Sequence, residues 1–117
     1  MLTIENGTGK DAVVKLVVIG PPQRTRRIMY VRSNENATLA GIAPGSYLLR
    51  YELGRSWNPG TKHFSNEPVF SQFDRTLYYE QEESGGYTVT LHAVQGGNAL
   101  TKRISLESFD AGDEEWQ

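Results

Sequence analysis

Apolar and polar side chains alternate along much of this chain, and that alternation predicts β-strands. The clearest run follows Gly45 and places four side chains on one face: Tyr47, Leu49, Tyr51 and Leu53. A second run spans residues 87–95, with Val89 and Leu91 on its apolar side. Successive side chains of a strand point to opposite faces of a sheet, so each run has one face suited to a core. We therefore predict that Tyr47, Leu49, Val89 and Leu91 face the core.

Turn residues separate these runs and predict tight reversals of the chain. In Ala43-Pro44-Gly45-Ser46, proline presets the second position of a type II turn and Gly45 accepts the positive φ of the third. Asn6-Gly7 and Ser84-Gly85-Gly86 are further hairpin signals between strand-like runs. The chain therefore reads as about eight strands joined largely by hairpins, with no amphipathic helix and no internal repeat.

Short strands at this spacing predict an all-β fold in a single domain of 117 residues. One apolar and one polar face per strand favours a two-layer antiparallel β-sandwich of about seven to eight strands with Greek-key connections. A small barrel is the alternative. We assign residues 1–109 to the sandwich and residues 110–117 to an acidic C-terminal tail.

The segment from Gly54 to Arg75 is the exception, because it is too long for an ordinary hairpin connection and reads as a functional or packed loop. It combines flat aromatic rings with short hydrogen-bonding groups, a mixture suited to carbohydrate or peptide recognition. Its candidate ligand-binding residues are Trp57, Asn58, His63 and Phe64. The competing interpretation is a lid that packs these aromatic side chains over the core.

A basic cluster of Arg24, Arg26 and Arg27 is a candidate patch for an anion or an acidic partner, since guanidinium groups bind such groups bidentately. The alternative is that positive charge protects a sheet edge from aggregation. A net charge of −2 and the absence of aromatic residues within the cluster argue against nucleic-acid binding.

Composition excludes several kinds of chemistry. Without cysteine there is no disulfide, thiolate zinc site or cysteine nucleophile. His63 and His92 are the only histidines, and no serine lies in a Gly-x-Ser-x-Gly turn. We predict no catalytic residues, no metal and no cofactor. Lys15 interrupts the longest apolar run, so this segment is not expected to insert into a membrane.

The stretch Gly41-Ile42-Ala43-Pro44-Gly45-Ser46-Tyr47 resembles the G-I-P-P-G-x-Y hairpin of transthyretin-like (prealbumin-like) β-sandwiches, which include carboxypeptidase regulatory-like domains and collagen-adhesin B-type repeats. The resemblance implies a transthyretin-like topology and a non-catalytic module of a larger bacterial polypeptide. Catalytic members would need a C-terminal Tyr-Arg-Gly-Ser, which this chain lacks. Some adhesin repeats form an isopeptide bond, for which Lys15, Asn98 and Glu52 would be the nominees.

These observations predict a non-catalytic accessory or binding module that recognises carbohydrate or peptide through residues 54–75. The alternative is a structural or assembly module that pairs through a sheet edge, and an enzyme comes third. A protein or carbohydrate partner fits the first interpretation. The oligomeric state and the compartment stay open, as does whether the chain is complete or a piece of a longer, extracytoplasmic protein.

Overall fold

The computed structural model describes residues 1–80, 86–91 and 101–113, and these residues form two packed β-sheets. In this part of the chain the elements are β1 (Leu2–Asn6), β2 (Asp11–Val18), β3 (Arg24–Val31), β4 (Asn36–Leu39), β5 (Gly45–Asn58), β6 (His63–Phe73), β7 (Leu77–Tyr79), β8 (Tyr87–Leu91), β9 (Thr101–Arg103) and α1 (Leu106–Asp110). The predicted all-β sandwich is confirmed.

One sheet has six strands and the other has three. The larger follows the order β3-β2-β5-β6-β9, with β7 paired to the start of β5, and the smaller follows β4-β1-β8. Most neighbours are antiparallel, as predicted, but β1 and β8 run parallel. The described residues thus contain nine strands, one more than the predicted upper number.

The apolar faces of the two sheets meet in the main core. The smaller sheet contributes Leu2 and Ile4 from β1, both fully buried, and the larger contributes alternate residues of β2 and β5. The four predicted core residues all belong to this cluster and are at most 5 % exposed: Tyr47, Leu49, Val89 and Leu91. The alternation in the sequence therefore identified the inward faces of β5 and β8 correctly.

The predicted hairpins are wrong in their pairing. β1 and β2 lie in different sheets, and so do β4 and β5, and β7 and β8. In each case the strands before and after the predicted turn pair with other strands and not with each other. Within Ser84-Gly85-Gly86, only Gly86 lies among the described residues.

Gly45 has the predicted positive φ, at +154°, but not the φ of about +80° that a type II turn requires at this position. Gly45 is instead the first residue of β5 and pairs with Tyr79. The Tyr47 hydroxyl donates to the carbonyl oxygen of Ala43 at 2.6 Å, which fixes the approach to the strand.

The segment from Gly54 to Arg75 is not a loop. β5 continues to Asn58, the chain reverses over residues 59–62, and β6 returns alongside it as a long hairpin. A register shift after Leu53 and positive φ values at Ser56, Lys62 and Glu67 interrupt the regular alternation here. The prediction of no helix is also wrong, because α1 forms over residues 106–110 and ends in the first residue of the predicted tail. Among the described residues, no helix is long and apolar enough to cross a membrane.

Candidate functional site

The outer face of the six-stranded sheet carries charged side chains that are almost completely buried. Lys15 on β2 and Arg50 on β5 are each 5 % exposed, and Glu52 on β5 is 0 % exposed. They alternate along their strands with core residues, so they point away from the main core. Residues 104–113, which we call the strap, lie over this face and remove it from water.

The strap is fixed by one cap and one aromatic anchor. Ser105 caps α1, its side chain accepting a hydrogen bond from the Ser108 backbone N–H at 3.0 Å. Phe109 is 0 % exposed and packs in a second apolar cluster with Val13, Phe64 and Phe70. Burial of a phenylalanine side chain stabilises the strap by roughly 1.5–3 kcal/mol.

Lys15 ties the strap to β2. Its ammonium donates to the Phe109 carbonyl oxygen at 3.2 Å, to Asp110 Oδ1 at 3.2 Å and to Asp113 Oδ2 at 2.7 Å. The nitrogen also lies 3.8 Å from the centroid of the Phe109 ring. Asp113 Oδ1 accepts in turn from the Thr25 hydroxyl at 2.6 Å. An ammonium has three N–H donors, so Lys15 is fully engaged.

The Arg50 side chain holds the end of the strap by binding a backbone carbonyl group of the strap. The guanidinium donates to the Ala111 carbonyl oxygen at 3.1 Å, to Gln72 Oε1 at 2.9 Å and to Gln23 Oε1 at 3.1 Å. All three acceptors are neutral, so this contact depends on position more than on charge. Gly112 adds a further backbone bond, its carbonyl oxygen accepting from the Thr25 N–H at 2.8 Å.

His63 joins the sheet to the strap. Its Nδ1 lies 3.0 Å from Glu52 Oε1, and its Nε2 lies 3.1 Å from Asp110 Oδ2. Glu52 Oε2 accepts the Phe64 backbone N–H at 2.8 Å. Burial of His63 opposes its charged form, but the Glu52 hydrogen bond and the charges of Asp110 and Glu52 outweigh burial. The pKa of His63 is therefore raised above its ordinary value.

A cavity of about 590 Å³ lies between the strap and the tip of the β5–β6 hairpin, and we call it the strap pocket. Its lining residues are Val13, Lys15, Ile28, Trp57, Pro59, Thr61, Lys62, His63, Asp110 and Asp113. Trp57 is partly exposed and makes edge-to-face contacts with Phe64 and Tyr30, with ring centroids 5.2 and 5.9 Å apart. The sheet and the hairpin thus contribute apolar side chains together with Lys15, Lys62 and His63, and the strap contributes a carboxylate wall.

The predicted ligand-binding residues separate into three positions. Trp57 and His63 both line the strap pocket. Phe64 is 2 % exposed and supports Trp57 from below. Asn58 is exposed at the hairpin tip, where its side-chain oxygen accepts the Gly60 N–H at 2.8 Å, and it is outside the lining.

The predicted arginine cluster lies at the start of β3. Arg24 and Arg26 are exposed, whereas Arg27 is half-buried. A register shift interrupts the alternation here, so that Arg24 lies opposite Val18 and Arg27 lies opposite Leu16. Arg27 donates to the carbonyl oxygens of Ala40 and Gly41, each at 3.2 Å, so its guanidinium is already bound to backbone groups. The acidic residues Asp110 and Asp113 bind Lys15.

Several residues of the pocket were not identified as site residues from the sequence, above all Asp110 and Asp113. The available signal was Phe109, a single aromatic residue within an acidic segment. Of the residues nominated for an isopeptide bond, Lys15 contacts the strap and Glu52 contacts His63. Asn98 and His92 lie outside the described residues.

No group of three or more potential metal ligands occurs within residues 1–80, 86–91 and 101–113. Comparisons with protein-family models, with curated proteins and with solved structures gave no match.

Proposed function

We propose that this protein is a non-catalytic binding module and that its ligand is a saccharide held in the strap pocket. One observation carries the proposal: a cavity of about 590 Å³ brings a partly exposed tryptophan opposite two carboxylates. Pockets of this size, mostly apolar with a few convergent polar groups, are the usual form of a small-ligand site.

The hydrogen-bonding capacity of the carboxylate wall favours a ligand rich in donors. Each carboxylate oxygen of Asp110 and Asp113 accepts one hydrogen bond from the protein. A carboxylate has about four acceptor positions, so both residues keep acceptor capacity for a ligand. Lys15 and His63, by contrast, already use their donors within the protein. Sugar hydroxyls supply the donors that this wall lacks.

The charge balance around the pocket favours a neutral ligand over a cation. With His63 protonated, the three cations Lys15, Lys62 and His63 balance the three carboxylates Glu52, Asp110 and Asp113. The aromatic face of Trp57 suits the apolar C–H face of a pyranose, which is flat and weakly hydrated. A peptide fits less well, because its carbonyl groups would find donors on the hairpin side, such as Lys62, but not on the carboxylate wall. A neutral saccharide therefore matches the pocket best.

Replacing Trp57 tests this function. In a Trp116→Phe background Trp57 is the only tryptophan, and its fluorescence is expected to change when a neutral oligosaccharide is titrated in. We expect Trp57→Ala to abolish binding in calorimetry while the melting temperature falls by about 5 °C or less. The side chain is only partly buried, so its loss leaves the main core intact.

Tyr78→Ala is the matched control, since Tyr78 is 62 % exposed and is not among the pocket residues. It is expected to bind saccharide like the wild type. A peptide panel run in parallel separates the two ligand classes, and binding of peptides alone would replace the saccharide with a peptide. If Trp57→Ala unfolds the domain, or if no panel member binds, the hairpin is a structural cover and the binding function is wrong.

A second candidate is an assembly module that pairs through the β3 edge. β3 is an end strand of eight residues, and Ile28 and Tyr30 on it are 51 % and 42 % exposed. Long edge strands with exposed apolar residues pair readily with other strands. Concentration-dependent mass in sedimentation experiments, abolished by Ile28→Lys, would favour this function. The resemblance of residues 41–47 to transthyretin-like domains supports the proposal that the protein, as a binding module or as an assembly module, belongs to a larger bacterial polypeptide.

A further inference from the structure

The carboxylate wall of the strap pocket belongs to a segment that is attached to the sheet by separable contacts. Asp110 and Asp113 lie on the strap, whereas Trp57 and His63 lie on the β5–β6 hairpin. The strap is held by Phe109, Lys15, Arg50, Thr25 and His63. Of these contacts, only the one made by His63 depends on a proton that histidine can lose near neutral pH.

When Glu52 and Asp110 are both ionised, the geometry around His63 requires the imidazolium form. Both ring nitrogens face carboxylate oxygens, Glu52 Oε1 at 3.0 Å and Asp110 Oδ2 at 3.1 Å. An ionised carboxylate only accepts hydrogen bonds, so both nitrogens must donate. A neutral imidazole has a single N–H and therefore can satisfy only one of the two carboxylates.

The two carboxylates differ in how well they tolerate losing this bond. The Glu52 side chain is 0 % exposed, so water cannot replace His63 there, and an unpaired buried charge is costly. The Asp110 side chain is 40 % exposed and can be solvated. The remaining N–H of neutral His63 should therefore stay on Glu52. Its other nitrogen then presents a lone pair to Asp110 and repels it.

We propose that His63 is a proton-operated latch: protonated His63 holds Asp110 and completes the strap pocket, and loss of the proton breaks this contact and loosens the strap around Asp110. The effect of the latch on a ligand rests on the proposed binding function. The effect of His63 on the strap itself rests only on the contacts described above. The groups that face the latch are Glu52 on β5, Asp110 on α1, Lys15 on β2, Asp113 after α1, and neighbouring Lys62.

The direction of the pH dependence follows from the raised pKa of His63. A group whose pKa is raised in the folded state stabilises that state fully below its unfolded pKa, about 6.5 for histidine. The contribution is lost as the pH rises through the folded pKa. The strap is therefore latched in mildly acidic solution and loosened in alkaline solution, while Lys15, Arg50, Thr25 and Phe109 keep it near the sheet.

Nuclear magnetic resonance of the full chain tests the latch without any ligand. Imidazole nitrogen signals report the protonation of His63, and amide exchange over residues 108–113, corrected for intrinsic pH dependence, reports opening of the strap. Between about pH 5.5 and about pH 9 we expect opening of the strap to increase about tenfold. The midpoint of this increase should coincide with the midpoint of the His63 titration. Exchange that stays constant while His63 titrates would overturn the proposal.

Two variants separate a latch from a purely structural contact. Asp110→Asn replaces a carboxylate, which only accepts, by an amide that can donate to neutral His63. In this variant the strap is therefore expected to be held more firmly at high pH than at low pH. His63→Gln cannot titrate and is expected to lose the pH dependence. Because Asp110 is partly exposed, Asp110→Asn should fold even if His63→Gln does not. An Asp110→Asn profile identical to that of the wild type would contradict the latch.

A saccharide titration at the two pH extremes distinguishes the two proposals. With Trp57 as the reporter in Trp116→Phe, affinity is expected to be about tenfold lower in alkaline solution than in mildly acidic solution. Equal affinity at both extremes would mean that the strap does not control the pocket, leaving the binding function intact. If the strap opens with pH but no saccharide binds, the proposed binding function is wrong and the latch proposal still holds.

Discussion

The inner and outer faces of the six-stranded sheet are both buried, but by different kinds of contact. The inner face meets apolar side chains of the smaller sheet, such as Leu2 and Ile4. The outer face meets the strap through Phe109 and a network of charged groups. Within the described residues, every buried polar side-chain atom has a hydrogen-bond partner. Burial of the inner face therefore depends on how well apolar side chains fill the core. Burial of the outer face depends on ion pairs and hydrogen bonds, and on the protonation of the groups that form them.

Substitution of Leu49 should produce the largest loss of stability, because Leu49 is 0 % exposed on the inner face. We expect Leu49→Ala to lower the free energy of unfolding by about 2–5 kcal/mol, through lost transfer energy and a residual cavity. Leu48→Ala, at the half-buried neighbour on the outer face, is the matched control and should lose less. Urea titration measures both, and a loss below about 0.5 kcal/mol for Leu49→Ala would contradict the face assignment.

A second, smaller effect is expected at Gly54, where the outer face has no room for a side chain. A Cβ at this position would lie 2.5 Å from the Phe64 Cβ. We expect Gly54→Ala to displace Phe64 and reduce the free energy of unfolding by about 1–3 kcal/mol. At Gly20 a Cβ would meet no atom within 4 Å, so Gly20→Ala should be nearly neutral. Equal denaturation midpoints for the two variants would show that Phe64 can move without cost.

The smallest effect concerns pH and the outer face alone. Since the pKa of His63 is raised, the free energy of unfolding should fall as the pH rises from about 6.5 through the folded pKa. His63→Gln should flatten this part of the profile, whereas Leu49→Ala should shift the whole profile down without changing its slope. Denaturant titrations across this range test the distinction, and an unchanged slope in His63→Gln would assign the pH dependence to another group.

The inner face was predictable because its signal is local. Alternation alone identifies which side chains of β5 and β8 point together, so Tyr47 and Leu91 were assigned correctly. Strand pairing was not predictable, since turn residues specify that the chain reverses but not which sheet receives the next strand. Asn6-Gly7 illustrates this: the Asn6 side chain bonds the carbonyl oxygens of Lys10, Val31 and Arg32, fixing a crossover in place of a hairpin.

The outer face gave misleading local signals. Charged residues such as Lys15 and Glu52 on the polar side of a strand have the same pattern whether they face water or a covering segment. Only contacts with the distant strap decide between the two, and in the sequence the strap is marked by few apolar residues, chiefly Phe109 and Ile104. The hairpin of β5 and β6 was missed for a related reason, because turn-forming residues around Pro59 and a register shift after Leu53 disguise the strand period.

The central position of β1 in the smaller sheet has a consequence for synthesis on the ribosome. Among the described strands β1 is translated first, yet its partners are residues 36–39 on one side and residues 87–91 on the other. One edge of β1 therefore stays open until residue 91 has been translated, and an open strand edge invites pairing with other nascent chains. Slowing translation after β4 should accordingly lower the yield of soluble protein more than slowing it after β8.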